Sequence, residues 1–320
     1  MRATAMLVLV VACSSSRGDL NPPPVGGSSG GGRGGGNAGG SAGGERGDAG
    51  EPSDGGSADA AVSGGDAAAD ASAALPDAQA GVEAGGPAGS SLCAGSQLAI
   101  CEGFENTTLG AVPSNWARRS GYGGKALGVA ADASARGTQS LKIEGGLNGS
   151  QFIEWKGSMG TLATSHYGRL FFKVKTPAPW PTSGVLHGDI VQHLGPHPGG
   201  GTNYVRWGIV ENTQMKFQWI YNVQPSQGEP EFGDGTAYTY SWPGTWQCLE
   251  WRYDQPSQQG TLWIDGAQIP ITVGKSHVPE IPVFTSLGVG WANYQNAPGE
   301  GFTVWIDEVA IDPARIGCDR

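Results

Sequence analysis

Basic residues are scarce in this 320-residue chain: 19 Lys and Arg stand against 29 Asp and Glu, a formal net charge of −10. Without a positive stripe to meet a phosphate backbone, nucleic acid is excluded as a partner class. Long hydrophobic runs are missing too. The apolar run near the start, Ala3 to Ala12, is too short to span a bilayer as a helix. The five cysteines show no CxxC or Cys/His spacing of the kind that holds zinc. There is no G-x-S-x-G, and "SGYGGKALG" lacks the spacing of a phosphate-binding loop. An E-x-D-x-x-E pair of catalytic carboxylates is also absent, which makes a glycoside hydrolase the weaker enzyme reading. Helical periodicity is almost absent after Leu92. No organic cofactor is expected.

The opening "MRATAMLVLVVAC" has the one early Arg and the short apolar core of an export signal. Its end, Val10-Val11-Ala12-Cys13, resembles the lipobox of bacterial lipoproteins. That resemblance implies a signal over 1–12 and a lipid anchor to the membrane at Cys13. Ser14 in the following position implies the outer membrane or cell surface. Residues 13–91 are almost entirely Gly, Ala, Ser, Asp and Pro, too polar and too small to offset their ordering entropy. From Ser14 to Ser91 three Arg stand against ten acidic residues, a net of −7. The stretch reads as a tether with an end-to-end distance of about 50 Å.

Residues 92–320 read as one folded domain, expected to be monomeric. All eleven Trp lie in it, with Cys93, Cys101, Cys248 and Cys318. An even count in an exported chain points to two disulfides with three possible connectivities, of which Cys93–Cys101 with Cys248–Cys318 is favoured. Alternating, aromatic-rich segments at 167–176, 204–210, 215–221, 247–254, 260–266, 286–291 and 302–311 predict strands. Asp265-Gly266 predicts a hairpin turn. Many short strands in one domain predict an all-β sandwich of two antiparallel sheets. Trp207, Trp219, Trp251 and Trp305 are its expected core.

"CEGFENTTLGAVPSNW", "RGTQSLKI" and "VWIDEVAID" resemble the concanavalin A-like jelly rolls, and more closely the glucuronan lyases and related cellulose-induced secreted proteins. The signature "WQCLEWRYDQPSQQGTLWIDG" looks like bacterial lipoproteins of the same fold. The resemblance implies a structural calcium held by Glu105, Asp307 and a carbonyl near Gly137. A hard cation suits such oxygens. It also implies a groove across one sheet in which polysaccharide is bound and cleaved by β-elimination. There a cation neutralises the uronate carboxylate while a His or Tyr removes the C5 proton. The matching positions are His187, Arg206 and Tyr221, with Gln192, Tyr204, Gln218 and Trp219 as substrate contacts.

The stretch "LHGDIVQHLGPH" (186–197) holds three of the five histidines. On a regular strand His187, Asp189 and His193 face one way, yet the two histidines lie about 20 Å apart. One metal ion cannot bridge that distance. Two non-catalytic readings compete with the lyase: a carbohydrate-binding module, whose aromatics near loops or strand ends (Trp180, Trp242, Trp246, Trp291, Tyr294) stack on sugars, with Tyr238, Tyr240 and Trp242 alternating as a platform, and a surface adhesion module.

Overall fold

The computed structural model describes residues 89–319 except 120, 147, 226–231, 272–280 and 295–300. The signal, Cys13 and the tether as far as residue 88 lie outside the described residues. Among the described residues no helix is long and apolar enough to cross a membrane.

Fifteen strands and one short 3-10 turn, Gly160–Ala163, make up the described elements. The strands are β1 Ile100–Glu102, β2 Trp116–Arg118, β3 Ala126–Ala130, β4 Ser140–Glu144 and β5 Gly149–Trp155. Next come β6 Ser165–Val174, β7 Val185–Pro196, β8 Thr202–Asn212, β9 Phe217–Pro225 and β10 Phe232–Gly235. The last are β11 Gln247–Asp254, β12 Gln259–Ile264, β13 Ala267–Ile269, β14 Gly288–Tyr294 and β15 Thr303–Asp312. They form two antiparallel sheets, the all-β sandwich expected. The eight-stranded sheet runs β13-β12-β11-β6-β15-β4-β3, with β1 paired to β15, and the seven-stranded sheet runs β10-β9-β8-β7-β14-β5-β2.

Alternation along the strands explains which side chains are buried between the sheets. On β8, Val205, Trp207 and Ile209 enter the core, while Tyr204 and Arg206 point away from it. On β9 the core takes Phe217, Trp219, Tyr221 and Val223. From the opposite sheet, Tyr253 stacks on Trp207 at 5.8 Å and Phe172 meets Trp219 edge-on at 6.1 Å. Such ring pairs add about 0.5–1.5 kcal/mol beyond area burial. Trp305 departs from expectation. It lies on the outer side of the eight-stranded sheet, where its indole N–H donates to Asp132 at 2.8 Å. Lys142 and Lys173 sit over its ring at 5.8 and 5.7 Å.

Both disulfides take the favoured pairing, Cys93–Cys101 and Cys248–Cys318. The hairpin at 265–266 forms as well. Asp265 and Gly266 both have positive φ, 50° and 80°, which is the two-residue turn whose twist matches the flanking strands.

One irregularity decides what faces outward. Strand β7 carries a bulge between Asp189 and Val191 in its pairing with β8. The extra residue shifts the alternation by one, so His187, Asp189 and Gln192 share the outer face and His193 turns into the core. His193 therefore does not share a face with His187 and Asp189. Its Nδ1 accepts the Gly288 N–H at 3.1 Å, and its ring lies 5.2 Å from that of His166. Burial holds both imidazoles neutral, with His166 lowered to about 4. Gly208, opposite the bulge, has no room for a side chain. A Cβ there would come within 2.1 Å of the Gly188 carbonyl oxygen and 2.9 Å of Asp189 Oδ1.

Candidate polar binding face on the seven-stranded sheet

The outer face of the seven-stranded sheet gathers polar side chains from five neighbouring strands. Asn222 comes from β9, Tyr204 and Arg206 from β8, Asp189 and Gln192 from β7, Tyr294 from β14 and Glu154 from β5. Cross-strand register puts Arg206 directly opposite both Gln192 and Asn222. Arg206 donates from Nη1 to Tyr294 Oη at 3.1 Å and to Asp189 Oδ2 at 3.4 Å, and from Nη2 to Asn222 Oδ1. The Tyr294 hydroxyl in turn donates to Asp189 Oδ2 at 2.8 Å.

A second guanidinium extends the row. Arg119, just past β2, donates to the Glu154 carboxylate and to the Gln192 side-chain oxygen. Its Nη2 also reaches the Gln192 carbonyl at 3.1 Å and Ser286 Oγ at 3.4 Å. The Ser286 hydroxyl in turn donates a hydrogen bond to Glu154 Oε1 at 2.7 Å. Gly288 makes this approach possible, since a Cβ there would fall 2.5 Å from Arg119 Nη2.

The floor of the face is buried and its rim is not. Asp189 is 1% exposed, Arg206 2% and Gln192 5%, whereas His187, Tyr204, Gln218, Gln224 and Tyr294 are half-buried. Two arginines meet two carboxylates, so the row carries no net charge. Burial, with the Asp189 charge next, raises the Tyr294 phenol far above its ordinary value and pushes Tyr122 up to about 12. Burial also raises Tyr204. These phenols keep their protons at neutral pH, so they can donate hydrogen bonds but cannot act as bases.

Neither a protein-family model nor a curated protein matches the chain. Solved structures with similar folds include the binding domain of botulinum neurotoxin serotype D, at 10% identity and TM-score 0.44. The match covers 69% of this chain and 49% of that one, so this chain spans about half the length of the structure it matches. A Trypanosoma rangeli sialidase mutant displaying trans-sialidase activity is 14% identical over 60% of this chain and 28% of its own, with TM-score 0.35. A carbohydrate esterase from the Shiga toxin-encoding bacteriophage phi24B is 20% identical over 62% and 89%, with TM-score 0.36.

The sequence-derived site residues separate into two groups. His187, Gln192, Tyr204, Arg206 and Gln218 share the outer face. Tyr221 and Trp219 do not: both are 1% exposed and lie between the sheets, Tyr221 against Trp207 at 5.1 Å. The expected trio of His187, Arg206 and Tyr221 is therefore not assembled on one surface. Of the side chains that complete the face, Asn222, Asp189, Arg119 and Glu154 were not among the expected site residues, and Tyr294 was expected only as a sugar-stacking ring. Plain alternation along β7 already puts Asp189 on the His187 face, and along β9 it puts Asn222 on the face opposite Trp219 and Tyr221. Arg119 belongs to no strand, and nothing in its local sequence marks it.

Glu105 and Asp307 hold different parts of the 135–139 loop, which contains Gly137. Glu105 Oε1 accepts the N–H groups of Thr138 and Gln139 at 2.8 and 2.9 Å, and Oε2 accepts the Thr138 hydroxyl at 2.7 Å. Asp307 Oδ2 accepts the N–H groups of Ala135 and Arg136 at 2.8 and 3.1 Å. Gly137 has φ +60°, and a Cβ there would lie 2.2 Å from Glu105 Oε1. The two carboxylates thus grip one loop. Among the described residues no group of three His, Cys, Asp or Glu side chains could hold a metal ion.

Proposed function

We propose that the domain binds a polysaccharide of neutral sugars along the outer face of the seven-stranded sheet, without cleaving it. The observation that carries this reading is the charge-balanced row from Asn222 to Glu154, with half-buried Tyr204 and Tyr294 at its rim. Amides, guanidinium N–H groups and phenols are the donors and acceptors that sugar hydroxyls need, and ring faces suit pyranose C–H surfaces. A polyuronate finds less here. Arg206 is already neutralised by Asp189, and Arg119 is paired with Glu154, so neither offers an uncompensated cation to a substrate carboxylate.

β-Elimination is the finer alternative. It would use His187 as the base, Arg206 to neutralise the carboxylate and a phenol on the same face as the acid. Tyr294 would have to take the part expected of Tyr221, and burial, which raises its pKa, makes it a weak acid for that step. The test is affinity electrophoresis of the purified chain through neutral glucans, xylans and mannans and through polyuronates, with ultraviolet absorbance followed for unsaturated ends. Retardation by a neutral glycan, lost in Tyr204→Ala and Gln192→Ala and without product, is the expected result. An absorbing product from a polyuronate, abolished by His187→Ala, would make the domain a lyase. No retardation by any glycan would end the carbohydrate reading.

Calcium at Glu105, Asp307 and the Gly137 carbonyl would compete with the N–H donors that already occupy both carboxylates. Chelation tests it directly. A fall in Tm means a bound cation supports the loop, and an unchanged Tm leaves the loop clamped by hydrogen bonds alone. Export through the signal and anchoring at Cys13 are a separate proposal, tested by whether Cys13→Ser releases the protein from membranes.

A further inference from the structure

Away from the outer face of the seven-stranded sheet, a cavity of about 440 Å³ lies at one end of the eight-stranded sheet. Its lining includes Glu144 at the end of β4, Lys175 just after β6, Phe302 just before β15, and Pro177 and Trp180. Backbone hydrogen bonds tie these strand ends together. The Lys175 N–H donates to the Thr303 carbonyl at 2.9 Å and the Gly145 N–H to the Phe302 carbonyl at 2.8 Å.

The wall that carries Trp180 is stiff for a reason legible in its sequence, Thr176-Pro-Ala-Pro-Trp-Pro181. Proline at 177, 179 and 181 fixes φ at those positions, and each intervening residue precedes a proline, which restricts it as well. Trp180 is therefore held in place before any ligand arrives, and binding against it costs little ordering entropy. Packing does not account for its presence. Trp180 is half-buried, yet among the described residues it neither joins the hydrophobic core nor packs on another ring. Trp155 and Trp242, also half-buried, do both.

The polar lining offers both kinds of group that a sugar hydroxyl needs. Lys175 is exposed and donates, and the half-buried Glu144 carboxylate accepts. Glu144 also lies 3.2 Å from Lys142, so charge of both signs surrounds the site.

We infer that this cavity is a second sugar site, which takes one neutral pyranose with its apolar C–H face on Trp180 and its hydroxyls on Lys175 and Glu144. An indole face takes the apolar side of a pyranose. The volume falls in the range of small-ligand sites, about 300–1,000 Å³. Such a ligand needs a donor and an acceptor, not a surplus of either charge. The site is separate from the outer face of the seven-stranded sheet, and either can fail alone.

The test is a titration of the ¹⁵N-labelled chain with methyl β-glucoside, methyl β-glucuronide and sodium sulfate. It is read at the Trp180 indole N–H, whose signal Trp180→Phe identifies. Expected is a saturable shift with the glucoside, binding of the glucuronide no tighter than that, and no shift with sulfate. Lys175→Ala should weaken the glucoside about fivefold, the loss of one hydrogen bond from a charged donor. Tyr204→Ala, on the outer face, should leave the shift unchanged. Absence of a saturable shift with the glucoside, tighter binding of the glucuronide or a shift reproduced by sulfate would overturn the inference. So would an unchanged affinity in Lys175→Ala, or loss of the shift in Tyr204→Ala, which would place the sugar on the outer face instead.

Discussion

The two outward faces of the sandwich both carry buried charge, and they use it differently. On the eight-stranded sheet, buried carboxylates hold chain ends and loops. Glu250, 1% exposed, accepts the Gly317 N–H at 2.8 Å and pairs with Arg315 at 2.9 Å, beside the Cys248–Cys318 disulfide. Glu308 accepts the Cys93 N–H at 3.1 Å, and Asp307 takes the 135–136 backbone. On the seven-stranded sheet, Asp189, Arg206, Asn222, Gln192 and Arg119 bond mostly to one another and fasten neither terminus. Charge that ties down backbone contributes to folding. A row of side chains satisfied mainly by side chains, under a half-buried aromatic rim, is better suited to recognition.

The comparison breaks most easily at the C-terminal end of the chain. Replacing Cys248 and Cys318 together by Ser should cost about 4 kcal/mol of unfolding free energy, because the bridge closes a loop of 70 residues. Glu250→Ala, which removes the buried acceptor of the Gly317 N–H and the pairing with the part-exposed Arg315, should cost about 2 kcal/mol. Both are measured by urea titration. A loss below about 1 kcal/mol in either would mean that the eight-stranded face does not carry the fastening assigned to it.

Next in size is a pH effect within the core. Glu211 lies on the core side of β8 and is 1% exposed. Burial raises it to about 7, and the nearby Trp242 indole offsets that only in part. Because its folded pKa lies above the unfolded value, the folded state holds the extra proton and stability falls as pH rises from about 4.5 to 7. His166 behaves oppositely. Lowered to about 4, it costs stability as pH falls from 6.5 towards 4, where the unfolded chain binds the proton. Relative to the parent chain, Glu211→Gln should gain about 2 kcal/mol between pH 5 and 8. His166→Phe should show its relative gain on the acid side. Parallel pH profiles for the two variants would rule out this assignment.

Smaller still for stability, but decisive for the comparison, is Asn222→Ala. It should cost only about 1 kcal/mol in folding, the worth of one side-chain hydrogen bond, while abolishing retardation by the bound glycan. If folding suffers as much as in Glu250→Ala, the two faces do the same work.

Much of the fold was legible because period-two alternation reports burial directly. β11 runs over the expected 247–254 without adjustment, and the 265–266 turn follows from Asp-Gly alone. The site was less legible, for local reasons. Strict alternation through "HGDIVQH" groups His193 with His187, and only the bulge at 189–191, invisible in composition, sends His193 inward and Gln192 outward. Tyr221 has the chemistry of a catalytic acid, but its position in β9 is odd with Phe217, Trp219 and Val223, all buried. The register of β8 against β9, which sets Asn222 beside Arg206, is a tertiary fact. So is Arg119, which reaches Gln192 across 73 positions of sequence.

The smallest expected effect tests whether charge as such, or its burial, separates the faces. Lys142 on the eight-stranded sheet has an architecture like that of Arg206. It reaches two oxygen-bearing partners, Asp132 at 2.8 Å and Glu144 at 3.2 Å, and lies over an aromatic ring. Its side chain, however, is 27% exposed, against 3% for Arg206. Exposed pairs contribute about 0.2–1 kcal/mol and are screened by salt, whereas a buried partner left unpaired costs about 3–5 kcal/mol. Lys142→Ala should therefore shift urea stability by about 0.5 kcal/mol at low salt and by less in high salt. Asp189→Ala, which strands Arg206, should cost several times more at either salt concentration. Equal losses would mean that the Arg206 row is reached by water as freely as the Lys142 pairs. The buried polar floor on which the glycan reading rests would then have no basis.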